Sequence, residues 1–550
     1  MKPLISPDAD ERTARDAVER IARLHKPDCA VCPKAGACEI QTLCEKYRPS
    51  SVYGERPAVR APLGAFLERR PERCIGCGRC LELLESLGEK QTETPPSRAP
   101  VSPLAGALLD VCPSGAIADA TARKLIRSWE KRRFGGLDLS DTVEAPVFID
   151  VARDEIAAVS PADEKTPISD KGRFYADGFG AARLDRPYLR TGGTLKEVSW
   201  DEALDAVAVR AGAAHHSAGL IGRYADCESI AALKDFMASL GGGETDARTD
   251  TEFFDIKSRQ SRLVNLPPDG FAEADLFVKI GVDLRRSAAF LEWKTEMNPA
   301  SKKTLSDLRE LPSVLAGASR PVVFVGEGVT RRADAEAAMG FVYRVCKEKG
   351  VIRGDWNGYC FVADNVAALG ALELGAVSPI PLRPQISVGV YDFVYLLHDD
   401  FTTPEQLGGA FTVYQGAFAS AAAESADVVL PALAPAEKKA TYLNCFGQAR
   451  ETSAALPPFG QAREDWKILR ALSARVGAKP LPYEDLEKVR ERLSAVSSAF
   501  FRRGEIVKSD DVPFGTDGPV SAVRVDPPET TRDAAAEFSA RWKQSRKEYR

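Results

Sequence analysis

The stretches HKPDCAVCPKAGAC (residues 25–38) and CIGCGRC (residues 74–80) decide how the amino-terminal part of this 550-residue chain folds. The first reads His25-x3-Cys29-x2-Cys32-x5-Cys38. Three thiolates and one imidazole at these gaps can complete a tetrahedral metal shell or bind the four irons of a 4Fe–4S cluster, and Gly36 lets the backbone turn round the centre. A zinc knuckle uses the same ligand types, so both centres stay open for this set. Cys44, six residues further on, reads as a buried bystander.

The second set is Cys74, Cys77 and Cys80 at two-residue gaps, with Cys112-Pro113 thirty-two residues later. This is the ferredoxin run with a remote Cys-Pro. In two-cluster ferredoxins a fourth cysteine follows the third closely. That position is Leu84 here, so the unit should hold one cluster. Zinc commonly uses paired knuckles, which makes three cysteines in a row favour a cluster. Gly76 and Gly78 would turn backbone N–H groups towards the sulfurs. Arg73 and Arg79 either offset an anionic centre or line a solvated face. With four protein ligands each, neither set leaves a position for substrate, and one-electron transfer is the work such centres do.

The rest of the composition narrows the class. Eight of the twelve cysteines lie in the first 112 residues, and Cys227, Cys346, Cys360 and Cys445 are scattered. A disulfide scaffold spreads cysteine throughout a short secreted chain, so this pattern points to metal binding in a reducing compartment. With 74 basic and 79 acidic side chains the net charge is −5, which leaves no global field for nucleic acid. No apolar run approaches the roughly 18–20 residues of a membrane span. The first twenty residues lack an apolar core and read as neither a signal nor a transit peptide.

Periodicity places these motifs. Residues 11–25 predict an amphipathic helix with Ala14, Val18, Ile21 and His25 on one face, stopped by Pro27. From about 190 to 480, apolar runs such as 274–281, 321–326, 390–398, 410–415 and 426–431 alternate with helical stretches such as 330–350 and 464–477. That alternation predicts a parallel, doubly wound α/β domain. The expected division is 1–62 for the module of one histidine and three cysteines, 63–120 for the ferredoxin-like module, 121–190 for a β-rich connector, 191–480 for the α/β domain and 481–550 for a charged tail. The tail reads as a surface helix or an arm on a partner. Gly326-x-Gly328 follows a strand, but Arg331 replaces the third glycine of a dinucleotide fingerprint. His215 and His216 read as side chains of an Ala-rich helix, His398 as structural, and Glu437, Thr441 and Asn444 as holding a turn.

The runs 25–41, 74–80 and LLDVCPSGAI (108–117) resemble the large iron–sulfur subunit of respiratory complex I, the 75 kDa or G-type subunit of NADH-quinone oxidoreductase. The resemblance continues through ISDKGRFYADGF (168–179), DWNGY (355–359), ADVVLPALAPAEKKATYLN (426–444) and REDWKILRAL (463–472). It implies iron–sulfur modules followed by a molybdopterin-oxidoreductase-like α/β domain. It implies two 4Fe–4S clusters, one on His25, Cys29, Cys32 and Cys38 and one on Cys74, Cys77, Cys80 and Cys112. It also implies a subunit of NADH:quinone oxidoreductase with no substrate site of its own. Electrons would come from a flavin subunit, pass the ferredoxin-like cluster and then the His25 cluster, and leave through the next iron–sulfur subunit towards quinone. The expected place is peripheral on the inner membrane, on the bacterial cytoplasmic or mitochondrial matrix side.

The sequence departs from the family in three places. Only 24 residues precede His25, so the usual 2Fe–2S ferredoxin domain is expected to be absent and supplied by a separate chain, or bypassed. The cysteine ahead of the KGRF motif in many bacterial relatives is missing from Ile168-Ser169-Asp170-Lys171, so a third 4Fe–4S cluster is not expected. The stretch GETDARTDTE (243–252) offers no thiol or serine to a molybdenum, so the domain is expected to keep the fold without molybdopterin. The competing assignment is a soluble formate dehydrogenase or hydrogenase-type oxidoreductase. A structural zinc protein and a degenerate assembly paralogue are the more distant ones.

Overall fold

The computed structural model describes residues 3–32, 34–51, 53–54, 59–120, 126–163, 165–174, 177–178, 182–477 and 480–528. These fall into two compact units, one within Met1–Gly135 and Ala145–Asp177, the other within Gly136–Glu144 and Gly178–Ala535.

The first unit opens on α1 (Glu11–Leu24). Asp10 caps it by accepting from Thr13 N, and Ala14, Val18 and Ile21 form its buried face. His25 is its C-cap in extended conformation, one residue short of the expected end. A one-turn 3-10 helix, Cys29–Val31, and α2 (Glu39–Tyr47) follow, with Ile21, Ile40 and Ile75 as their common apolar cluster. The ferredoxin-like part is a small antiparallel sheet of β1 (Ala61–Pro62), β2 (Leu67–Arg69) and β3 (Ile117–Asp119), with α3 (Arg79–Ser86) and α4 (Ala107–Val111) beside it. Its core holds Leu63, Phe66, Leu67, Leu108, Ile117 and Leu84, the residue standing where a fourth close cysteine would be. A second three-stranded sheet joins β4 (Arg132–Leu137), β5 (Pro146–Ala152) and β6 (Glu155–Pro161). The KGRF motif lies in α5 (Asp170–Phe174). Phe174 meets Phe66 edge-on at 4.7 Å, and Asp170 Oδ1 accepts from Gly106 N at 2.7 Å. A buried Asp170 therefore packs on the ferredoxin-like core.

The second unit carries β7 (Tyr188–Thr191), β8 (Thr194–Glu197), β9 (Ser217–Ile221), β10 (Glu244–Asp246), β11 (Leu276–Ile280), β12 (Ser301–Leu305) and β13 (Pro321–Gly326). There follow the hairpin β14 (Ile352–Arg353) and β15 (Trp356–Asn357), then β16 (Tyr359–Val362), β17 (Phe393–Leu397), β18 (Phe411–Gly416) and β19 (Val428–Pro431). The expected single alternating domain is built on two sheets. One runs β10-β9-β17-β18-β19-β7-β8, parallel through β19 and closed by the antiparallel β7–β8 hairpin. The other runs β12-β11-β13-β16 and is parallel throughout. β11, β13 and β16 are near-continuous buried apolar runs, as strands covered on both faces are, whereas the edge strand β12 is polar and mostly exposed. The helices Ala335–Glu348 and Asp465–Arg475 lie within the stretches expected to be helical.

Some side-chain readings are corrected. The helix Trp200–Ala213 ends before His215, and the backbone N–H groups of His215 and His216 both donate to Asp392 at 2.9 Å. Two histidines read as helical side chains thus sit in a loop held by an aspartate of β17's approach. His398 is structural: it is buried, and its Nε2 lies 2.9 Å from Asp465 Oδ1. Asn444 holds a turn, its Oδ1 accepting from Phe446 N and Gln448 N, and so does Glu437, whose Oε2 accepts from Ala434 N at 2.9 Å while the same carboxylate clamps Arg183 in a buried ion pair; Thr441 instead donates to Glu228 Oε1 at 2.7 Å. Of the charged tail, the ending RWKQSRKEYR lies outside the described residues.

Candidate metal centre

The eight expected ligands and Cys44 all lie in the first unit. Cys32, Cys80 and Cys112 are buried, and Cys29, Cys38, Cys44, Cys74 and Cys77 are half-buried. Cys74 caps the 3-10 turn Pro71–Arg73, Cys80 opens α3, and Cys112 ends α4. Three separate chain turns therefore deliver the second set.

That set converges electrostatically. Burial pushes the Cys80 thiol up to about 12, with the charges of Cys112, Cys74 and Cys77 adding to it. Burial likewise raises Cys74 and Cys77, each also feeling Cys112. Gly76 and Gly78 have φ of +66° and +77°, a region only glycine enters without strain, and Gly76 N donates to Cys74 Sγ at 3.4 Å. Ile117 N donates to Cys112 Sγ at 3.4 Å.

In the first set, burial raises Cys38, with Cys32 and Cys29 adding to the rise. His25 stands at the end of α1, its Nδ1 3.2 Å from the carbonyl of Arg73. Cys44, expected to be a buried bystander, is half-buried. It packs with Cys38 and Cys77 on the Ile21–Ile40–Ile75 cluster, and burial, then Cys38 and Cys29, raise its thiol. Among the described residues no three His, Cys, Asp or Glu side chains stand close enough to hold a single metal ion.

The two sets adjoin. Cys38 Sγ lies 3.9 Å from the carbonyl of Pro113, next to Cys112. Lys34 Nζ donates to Leu109 O at 2.9 Å. Two ion pairs tie the loops. Arg73 Nη2 donates to Asp28 Oδ2 at 2.6 Å, joining the neighbour of Cys74 to the neighbour of Cys29. Arg79 forks onto Glu39 at 2.9 and 3.3 Å, joining the neighbour of Cys80 to the neighbour of Cys38. Both arginines are buried, at 2% and 8% exposure, so the reading of a solvated face is wrong for both. Their partners lie 45 and 40 residues away, which is why local pattern could not find them.

Arg127 was not legible at all. Its Nη1 donates to the carbonyls of Cys29 and Cys32 at 3.0 and 3.1 Å, and Nη2 reaches Ala30 O. It satisfies the backbone of the first ligand turn from nearly a hundred residues away. Ser128 and Trp129 close over Gly36, where an added Cβ would meet Ser128 Oγ at 2.2 Å.

The donor chemistry fits iron–sulfur clusters. Burial holds protons on the thiols of Cys38, Cys74, Cys77 and Cys80, and a bound metal centre is what would stabilise them as thiolates. Arg73 also keeps two buried N–H groups, Nε and Nη1, without a partner.

Residues 15–52 match the family described as NADH-ubiquinone oxidoreductase-G iron-sulfur binding region, and residues 183–306 and 294–475 match Molybdopterin oxidoreductase. The mitochondrial NADH-ubiquinone oxidoreductase 78 kDa subunit of Candida albicans is 30% identical, over 90% of this chain and 76% of its own. The mitochondrial NADH dehydrogenase (ubiquinone) iron-sulfur protein 1 of Solanum tuberosum is 30% identical, over 88% of this chain and 72% of its own. The G-type subunit of the NADH-quinone oxidoreductase of Rickettsia felis is 27% identical, over 92% and 81%.

Proposed function

This chain belongs to the family of the NADH-ubiquinone oxidoreductase 75/78 kDa subunits and their bacterial G-type counterparts, and on that footing we propose that it carries two 4Fe–4S clusters and relays single electrons between its neighbours in complex I. Its work is electron transfer within that oxidoreductase complex, and its partners are other subunits of it. In our reading His25, Cys29, Cys32 and Cys38 hold one cluster, and Cys74, Cys77, Cys80 and Cys112 hold the other. Bound there, such clusters supply one-electron transfer in which no bond is made or broken.

The observation that carries the reading is that Cys74, Cys80 and Cys112, borne on three separate turns, pack on one apolar core, where burial first and the charge of Cys112 second raise the thiols of Cys74, Cys77 and Cys80. The chain's own residues do the remaining work. Leu84, Phe66 and Leu108 exclude water from one side of that set. Gly76 N and Ile117 N give hydrogen bonds to its sulfurs. Arg79 and Glu39 lock its loop to that of the His25 set. The ferredoxin-like module faces the flavin-bearing subunit in this reading, and the His25 module faces the acceptor.

The boundaries 1–62, 63–120, 121–190, 191–480 and 481–550 remain our division of the chain. We propose that the α/β part keeps the molybdopterin-oxidoreductase fold without the cofactor. Two features support this. In the stretch 243–252, Asp246 and Arg248 form a buried ion pair at 2.8 Å where a metal ligand would be needed. The crevice at the carboxyl ends of β11 and β13, where open α/β sheets bind ligands, is crossed by residues 525–528 of the same chain. Attachment to the membrane is peripheral and through other subunits; no described helix is long and apolar enough to cross one.

Anaerobic reconstitution tests the reading. The protein should be brown and bind about eight irons, the sum of two 4Fe–4S centres, with no molybdenum. Cys80→Ser should lose about four of them and one of two paramagnetic signals in the reduced protein. Stoichiometric zinc with iron near zero would defeat the assignment.

A further inference from the structure

Arg73 is one of the largest fully buried side chains of the molecule, yet it is only partly partnered. Asp28 Oδ2 takes Nη2 at 2.6 Å, while Nε and Nη1 are buried with no hydrogen-bond partner. Leaving N–H groups of a buried guanidinium without an acceptor forfeits their hydration with nothing in return, so a fold keeps them only where something answers them. The surroundings say what does. A Cβ placed on Gly115 would stand 3.5 Å from Cys32 Sγ and 3.8 Å from Arg73 Nη1, so that sulfur and that N–H face one small space. Gly115 has φ of +68° and leaves the space open. The Arg73 carbonyl meanwhile lies 3.2 Å from His25 Nδ1, at the other edge of the same ligand set.

We propose that Arg73 is a positioning residue for the His25–Cys29–Cys32–Cys38 set, its Asp28-anchored guanidinium offering Nε–H and Nη1–H to the sulfurs of the centre held there. The inference rests on the ligand reading above. Its consequence is a reduction potential. Adding an electron makes a thiolate-bound cluster more negative, so a fixed positive charge and N–H donors aimed at its sulfurs favour the reduced state. Arg suits the role because its planar fork can hold Asp28 with one nitrogen while the others point elsewhere. Asp28 fixes the orientation, and its other oxygen, Oδ1, is also without a partner.

The test is an EPR-monitored redox titration of the reconstituted full chain and of R73K, R73Q and R73Q/D28N. The double variant removes both charges, so it guards against unfolding from an unpaired buried aspartate. We expect the midpoint of one cluster to fall furthest in R73Q, less in R73Q/D28N and least in R73K. Loss of about four irons from R73Q and the double variant, with all retained by R73K, equally supports the role. Unchanged midpoints in R73Q and in the double variant overturn it. Iron loss shared by R73K also overturns it, since Arg73 would then serve packing alone. A wild-type chain that binds no iron would instead sink the ligand reading, a separate failure.

Discussion

Glu327 follows the last residue of β13 and is 3% exposed. Burial, helped by the nearby charges of Asp364 and Glu252, pushes its carboxyl up to about 8, although Arg331 Nη2 lies 2.6 Å away and pulls the other way. A carboxyl raised in the folded state holds its proton while the unfolded chain has already lost it. Stability from this group is therefore full below the ordinary carboxylate range and falls as pH rises from about 4.5 to about 8. In Glu327→Gln that part of the slope disappears, so the melting temperature should drop less between pH 5 and pH 8 than in the wild type. Equal drops would show that Glu327 is ionised throughout. Arg331, the residue that breaks the glycine fingerprint, explains itself here: it pairs with Glu327 and Glu252 instead of making room for a phosphate.

Among the elements, the carboxy-terminal strap most changes how the α/β part reads. Residues 511–528 have no regular structure, yet they are held throughout. Gln260 Nε2 donates to Val512 O at 2.8 Å, Phe514 packs 4.9 Å from the rings of Tyr343 and Tyr359, and Ser521 N donates to Asp334 at 2.8 Å. Val525 is buried and its N–H reaches Ser306 O. Close approach to two helices is made possible by glycine. A Cβ on Gly340 would lie 2.1 Å from Thr516 O, and one on Gly328 the same distance from Asp526 O. Gly340 sits inside the helix Ala335–Glu348, where alanine is intrinsically better by about 1 kcal/mol. Overpacking against backbone typically costs about 1–3 kcal/mol, so the collision should win. Gly340→Ala is expected to lower stability and to raise amide exchange over 512–525. A stabilised variant with an unchanged strap would refute the packing. The α1 helix is the opposite case: its apolar period, its Asp10 cap and Pro27 are all local, and its end was legible to within one residue.

For the molecule as a whole, the two units differ in what can hold them together. The first buries little around its amino-terminal ligand loop, the common apolar cluster there being Ile21, Ile40 and Ile75. The second owns two extended cores, one under β11, β13 and β16 and one under β9, β17 and β18. A small core gains most from a bound metal centre, because binding free energy becomes folding free energy. Calorimetry should resolve two transitions, of which iron removal lowers one and leaves the other in place. A common shift of both would contradict separate stabilisation.

Ligand spacing, helix period and strand alternation act over a few residues, so the two cysteine sets, α1 and the apolar strands of the α/β part could be read directly from the chain, and the family resemblance with them. Partners far apart in the chain could not. Arg73 finds Asp28, Arg79 finds Glu39, Arg127 finds the Cys29–Cys32 turn, and residues 525–528 reach the crevice beside β11 and β13 only once the chain has folded back on itself. A charged side chain in a linear string looks solvated by default. Burial and pairing are properties of what arrives beside it in space, and no local pattern carries that information.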